Sequence, residues 1–177
     1  MDNRISSFKI SGHSTKREWA VYLVVATSQI DNKSPKLIYV GKVGDNRDGC
    51  NPVISRVGNH FSFNTIHSQV RNRIDKIGKT EDFDYEYYYA HFGEYKDSSK
   101  LEDRNRINEL ERRLNSMIQD SIADSNEFKL LNVYEGKYIK QEMRDSRANM
   151  LNDSDIKTLN YLINKALTAN TPARADL

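Results

Sequence analysis

The sequence predicts an α+β fold: a small three-stranded antiparallel sheet flanked by helices, with a helical extension at its C-terminal end. Three observations carry this reading. Residues 19–27 (WAVYLVVAT) and 36–43 (KLIYVGKV) are short runs rich in β-branched and aromatic residues, separated by a polar loop containing Pro35. Such side chains suit a pleated, half-buried surface, and the two runs are close enough in sequence to form a hairpin with an extended loop. Residues 83–92 (FDYEYYYAHF) alternate and are rich in aromatics, as a third strand would be. Farther on, Ile107, Leu110, Leu114, Met117 and Ile118, then Ile156, Leu159, Ile163 and Leu167, recur at helical spacing.

The elements follow in order. Trp19 to Thr27 carries no charge and reads as a buried central strand, with Lys36 to Val43 as its hairpin partner. Gly44 to Asn51 (GDNRDGCN) is turn chemistry throughout. Pro52 then suits the first position of a helix capped by Asn51, running through Arg56 to about Asn59. Asn64 to Ile77 reads as another helix, with Ile66, Val70, Ile74 and Ile77 on one face. After the third strand, Ser98 or Ser99 can cap a long helix reaching about Ile122. A short extended piece, Phe128 to Val133, follows, and a last helix begins at Ser154. Residues 170–177 read as a frayed tail. The organisation is an N-terminal extension (1–18), a main domain (19–134) and a helical C-terminal extension (135–177).

A chain of 177 residues and 20.5 kDa is the size of one domain. No apolar run approaches the roughly eighteen residues that a membrane span needs, and the N-terminus lacks the apolar stretch of a secretory signal. The single cysteine, Cys50, excludes an internal disulfide and a multi-cysteine zinc cage, so a reducing cytoplasm is the expected location. A net charge of +2 permits a nucleic-acid partner without demanding one. The local balance says more: between residues 56 and 79, Arg56, Arg71, Arg73, Lys76 and Lys79 face only one acid, Asp75. A one-sided cluster suits a phosphate track, and equally a solvated helix face.

Polar residues set inside apolar elements narrow the candidates for chemistry. Tyr22 lies in the first strand and Tyr39-Val40-Gly41 in the second, where Gly41 suits a close backbone approach or a kink. Arg56 and His60 are four apart, hence on one face if their helix continues that far. Glu111 lies on the long helix and Asn132 on the last short segment. At 100° per residue, the apolar stripe of that helix centres much nearer to Glu111 than to Glu109, which favours Glu111 as the carboxylate facing the sheet.

In this arrangement the chain resembles the GIY-YIG nuclease superfamily. Ala20-Val21-Tyr22 matches the first motif and Tyr39-Val40-Gly41 the second; Arg56 and His60 match the arginine and histidine, Glu111 the helix-borne glutamate and Asn132 the late asparagine. The match covers roughly residues 19–134 and departs from the family at Ala20, which stands for a glycine, and in the length of the hairpin loop and of the segment from Gly41 to Arg56. The resemblance implies a DNA endonuclease of restriction, phage or mobile-element type, acting on double-stranded DNA. It implies Tyr22 as general base and Tyr39 as the group orienting water or phosphate.

The residue chemistry suits phosphodiester hydrolysis. Glu111 is a hard oxygen ligand for Mg²⁺ or Mn²⁺, and Arg56 offers a planar fork of donors to phosphate. Lys42, Arg71, Arg73 and Asn132 are candidate substrate contacts. Free tyrosine is only about 0.1% phenolate at neutral pH, so a tyrosine base needs cationic neighbours such as Arg56 and Lys42, or a proton acceptor such as His60. Two alternatives stand beside this reading: a non-catalytic nucleic-acid-binding module on a nuclease fold, and a structure-specific repair nuclease. The helix carrying Ile156, Leu159 and Ile163 suits either a homodimer contact or packing on the domain.

Overall fold

In the computed structural model, which describes residues 8–44, 50–96, 101–133 and 140–170, the two apolar runs form β1 (Glu18–Ser28) and β2 (Lys36–Val43). They pair antiparallel, with Tyr22 opposite Gly41 and Val24 opposite Tyr39. The aromatic run forms β3 (Phe83–Glu94), antiparallel to β1 on its other edge. β1 is thus central and covered on both faces, which is why it reads as a continuous apolar run instead of an alternating one.

The sheet has a fourth strand. β4 (Phe128–Leu130) pairs parallel to β2, giving the order β3-β1-β2-β4. The three-stranded antiparallel sheet expected from the sequence is therefore extended to a four-stranded mixed one. The α+β class holds. Three residues are too few to show a period, so the parallel pairing of β4 left no pattern to read.

Five α-helices are present among the described residues: α1 (Val53–Phe61), α2 (Gln69–Ile74), α3 (Leu101–Ser121), α4 (Gln141–Ala148) and α5 (Asp153–Asn170). On one face of the sheet, Val21, Leu23, Val25, Ile38 and Val40 pack with residues of α3 and α5. On the other, Ala20, Tyr22, Val24, Leu37 and Tyr39 pack with Val53, Val70 and Ile74 of α1 and α2.

Several local expectations change. α1 begins at Val53, with Pro52 just before it and no side-chain cap, and it runs on to Phe61. The helix expected over 64–77 shrinks to the six residues of α2. The Asn64 side chain accepts from the Ile66 amide (2.9 Å) and Ser68 Oγ donates to the Asn64 carbonyl (2.6 Å), which gives the backbone a turn to adopt in place of a helix. Ile66 and Ile77 are left 74% and 56% exposed, while Val70 and Ile74 are buried. The caps expected at Ser98 or Ser99, most of the turn after Gly44, and residues 171–177 of the tail lie outside the described residues.

Glu109, expected to face away from the sheet, is 1% exposed. It pairs with Arg112, whose Nε donates to Oε2 (2.7 Å) and whose Nη2 donates to Oε1. α3 is touched by β1, β2, α4 and α5, so its burial extends beyond the stripe that faces the strands.

α5 begins one residue earlier than expected, at Asp153, where the Asn152 and Asp155 side chains accept from each other's backbone amides (2.9 and 3.1 Å). Leu159, Leu162, Ile163 and Ala166 of this helix lie in the same core as β1 and α3. Arg106 of α3 fastens the arrangement, with Nη2 donating to Asp155 (2.6 Å) and Nη1 to the Phe92 carbonyl (3.1 Å). No helix among the described residues is long and apolar enough to cross a membrane. Because Leu159 is fully buried, Leu159→Ala is expected to destabilise the fold by about 2–5 kcal/mol, read as a lower midpoint in urea unfolding.

Candidate active site at the open edge of the second strand

The site begins where β4 stops. β4 pairs only with Lys36 to Ile38 of β2. The Leu131 amide then donates to the Ile38 carbonyl (2.8 Å), and Asn132 continues the ladder with its side chain. Asn132 Oδ1 accepts from the Val40 amide (2.9 Å) and its Nδ2 donates to the Val40 carbonyl (2.7 Å). Asn115 of α3 donates to the Asn132 carbonyl (2.7 Å), fixing the turn. Both ends of the Asn132 amide are thus engaged by β2. Past Val40, β2 has no β4 partner, and side chains from both faces of the sheet come together along that edge.

On one face stand Tyr22, Tyr39 and the helix α1. Tyr22 lies opposite Gly41 in the register, and its ring occupies the space that a side chain there would fill: a Cβ on Gly41 would come within 2.6 Å of Cε2 and closer still to the hydroxyl end. Arg56 and His60 stand four positions apart on α1, so both reach the same place. The Tyr22 hydroxyl and His60 Nε2 are 2.6 Å apart, and the Arg56 side chain also hydrogen-bonds to Tyr22. His60 lies between the two tyrosines, its ring centroid 5.7 Å from that of Tyr22 and 5.1 Å from that of Tyr39.

On the other face stands α3. Lys42, one residue past Gly41, points to that side and donates from Nζ to Glu111 Oε2 (2.8 Å). Glu111 nonetheless acts electrostatically on both tyrosines across the edge. Arg73 reaches the site from α2: Nη1 donates to the Leu131 carbonyl (3.2 Å), and the guanidinium lies 5.9 Å from the Tyr39 ring. Arg71 does not join them. It braces the Phe61 carbonyl (3.1 Å), stacks on Phe63 and pairs with Glu81.

Burial sets the proton positions. Tyr22 and His60 are 1% and 0% exposed. Burial, then the neighbouring Tyr39, push the Tyr22 pKa far up, while Arg56 pulls against them. Tyr39 is also raised, by burial first and then by Glu111. His60 is held down to about 3, by burial and then by the Arg56 charge. The resting site therefore holds a protonated Tyr22 against a neutral imidazole. The cations expected to favour phenolate are present but outweighed by desolvation.

One residue of the site was not singled out by sequence. Tyr87 of β3 packs beside Tyr22, ring centroids 6.1 Å apart, and among the described residues its buried hydroxyl has no hydrogen-bond partner. Its pKa is raised by burial and then by Tyr22 and Tyr39. Alternation along 83–92 puts residues 85, 87 and 89 on one face, but only the register shows that this is the Tyr22 face.

The donor set limits any metal. Among the described residues no three His, Cys, Asp or Glu side chains stand close enough to hold an ion together. Glu111 is a lone carboxylate with Oε2 engaged by Lys42. That set fits a hydrated Mg²⁺ or Mn²⁺ that keeps most of its waters and shares a phosphate oxygen, and it does not fit an all-protein cage.

Two outcomes test this geometry. Gly41→Ala is expected to drive the Tyr22 ring from its place and destabilise the fold by about 1–3 kcal/mol, measured by denaturant unfolding. The His60 ring, with a pKa near 6.5 unfolded and about 3 folded, gives the unfolded chain one extra proton between those values. Stability is then expected to fall as pH is lowered from about 6.5 towards 3, and to be insensitive to this group above that window. In NMR spectra assigned against His60→Gln, the His60 ring signals should show no titration step between about pH 5 and 8; a step near 6.5 would contradict the buried, neutral ring. No protein-family model, curated protein or solved structure matches this chain.

Proposed function

We propose that this chain is a metal-dependent DNA endonuclease of the GIY-YIG kind, hydrolysing phosphodiester bonds at the open edge of β2, in a restriction, phage or mobile-element setting. The observation that carries the reading is the 2.6 Å bond between the Tyr22 hydroxyl and His60 Nε2, formed in a site that also gathers Arg56 and Tyr39. A tyrosine bonded to a neutral imidazole is a proton relay: Tyr22 oxygen takes a proton from the attacking water while its own passes to His60.

Arg56 couples this relay to substrate. Its positive charge helps to hold the His60 pKa down. A phosphodiester bound to the guanidinium offsets that charge, so the imidazole becomes a better proton acceptor when the reacting phosphate is in place. Tyr39, slightly less buried than Tyr22, is placed to orient the water or a phosphoryl oxygen, with Arg73 beside its ring. Glu111 would hold Mg²⁺ or Mn²⁺, which supplies charge stabilisation to the phosphoryl oxygens and the leaving oxygen. Lys42 holds the Glu111 carboxylate in place and is a second cation for the phosphate.

The test is cleavage of supercoiled plasmid by purified protein with and without Mg²⁺, beside Tyr22→Phe and Glu111→Ala variants. The wild type is expected to nick or linearise the DNA only with the metal, and both variants to lose activity by about 100-fold or more while keeping their thermal transition. Undiminished cutting by Glu111→Ala would overturn the role of Glu111. Retention of DNA by the wild type without any cutting would favour a binding module on this fold.

A further inference from the structure

A cavity of about 370 Å³ opens between α3 and α4, lined by Asn108, Glu111, Arg112, Asn115, Asn132 and Arg147, among others. Most of its charges cancel locally. Arg112 is neutralised by the buried Glu109, and Glu111 by Lys42. Arg147, on the last turn of α4, is different. Among the described residues its half-buried side chain has no hydrogen bond or ion pair, although it lines a cavity with a carboxylate in its wall. A guanidinium partly withdrawn from water and left without an acid is complementary to an anion with planar, paired acceptors.

We propose that this cleft is a second phosphate site, in which Arg147 binds the DNA backbone beside the phosphodiester being cut. Glu111 links the two places, because it stands at the open edge of β2 and also lines the cleft. A ligand reaching from one to the other must carry more than one anionic group, and a nucleic-acid strand does. The Asn108 amide supplies further neutral polar contacts in the same wall. On this reading α4, in the C-terminal extension, extends the substrate track beyond the main domain. The inference rests on the endonuclease reading, and it adds a residue to which neither the sequence motifs nor the fold assign a role.

The experiment is fluorescence anisotropy with a short labelled DNA duplex, without divalent metal, over a range of salt concentrations. Wild type is compared with Arg147→Ala and Arg147→Lys, with thermal unfolding as the check on folding. Arg147→Ala is expected to weaken binding by about 10-fold and to reduce the slope of log affinity against log salt by about one, which is the loss of a single phosphate contact. Arg147→Lys should keep the slope while losing part of the affinity. Equal unfolding temperatures are expected, since among the described residues the side chain has no hydrogen-bond or ion-pair partner to lose. A wild type that binds DNA while Arg147→Ala binds with the same affinity and slope overturns the second site and leaves the endonuclease reading standing. A wild type that neither binds nor cuts DNA removes both.

Discussion

The pairing of the Asn132 side chain with both backbone groups of Val40 is the constraint on which the arrangement of the site depends. A side-chain amide can imitate one step of a strand ladder, but it cannot continue it. The parallel pairing that starts with β4 therefore ends at Val40, and among the described residues the end of β2 has no strand partner on that side. In most sheets the two faces are separated by the sheet itself. Here the early stop lets groups carried by α1 on one face and by α3 on the other meet around a common edge.

Desolvation dominates the chemistry that gathers there. Burial keeps the proton on Tyr22 and off His60, and the Tyr87 hydroxyl is buried with no hydrogen-bond partner among the described residues. Each of these is unfavourable to stability or to ready proton transfer in the resting protein, and an unpaired buried hydroxyl is disfavoured by about 1–3 kcal/mol. Polar groups concentrated at one place in an otherwise apolar layer are the pattern expected of a site shaped for a ligand more than for packing. Arg56 is the hinge of this electrostatics because it bears on Tyr22 and His60 together, and a bound anion would be felt by both through it.

Much of the fold was legible because its signals are local. The three long strands lie within two residues of their apolar or alternating runs, and α3 and α5 follow their periodic stripes. What stayed hidden depends on tertiary context. β4 is too short to carry a period. The polar side chains of Asn64 and Ser68 cut short a helix that the spacing of Ile66, Val70, Ile74 and Ile77 suggested. A helical wheel drawn for one contact face misplaced Glu109, because α3 is covered from several directions. In the candidate site, the spacing of Arg56 and His60 and the glycine after Tyr39-Val40 were readable. The structural task of Asn132, the distance of Arg71 and the presence of Tyr87 required the register.

The single guanidinium of Arg106, which joins α3 to β3 and α5, bears on how this protein could be cut and recombined. The core shared by β1 and α3 includes residues beyond 134. Removing α5 would strip Leu159, Ile163 and Ala166 from the core and leave Arg106 without its carboxylate. A chimera that borrows this domain must carry the chain through Asn170, whose side chain bonds to Glu86 and Tyr88 on β3 and whose carbonyl accepts from Lys36 on β2. Any added DNA-recognition domain is better joined beyond that point, where the graft leaves the last helix whole.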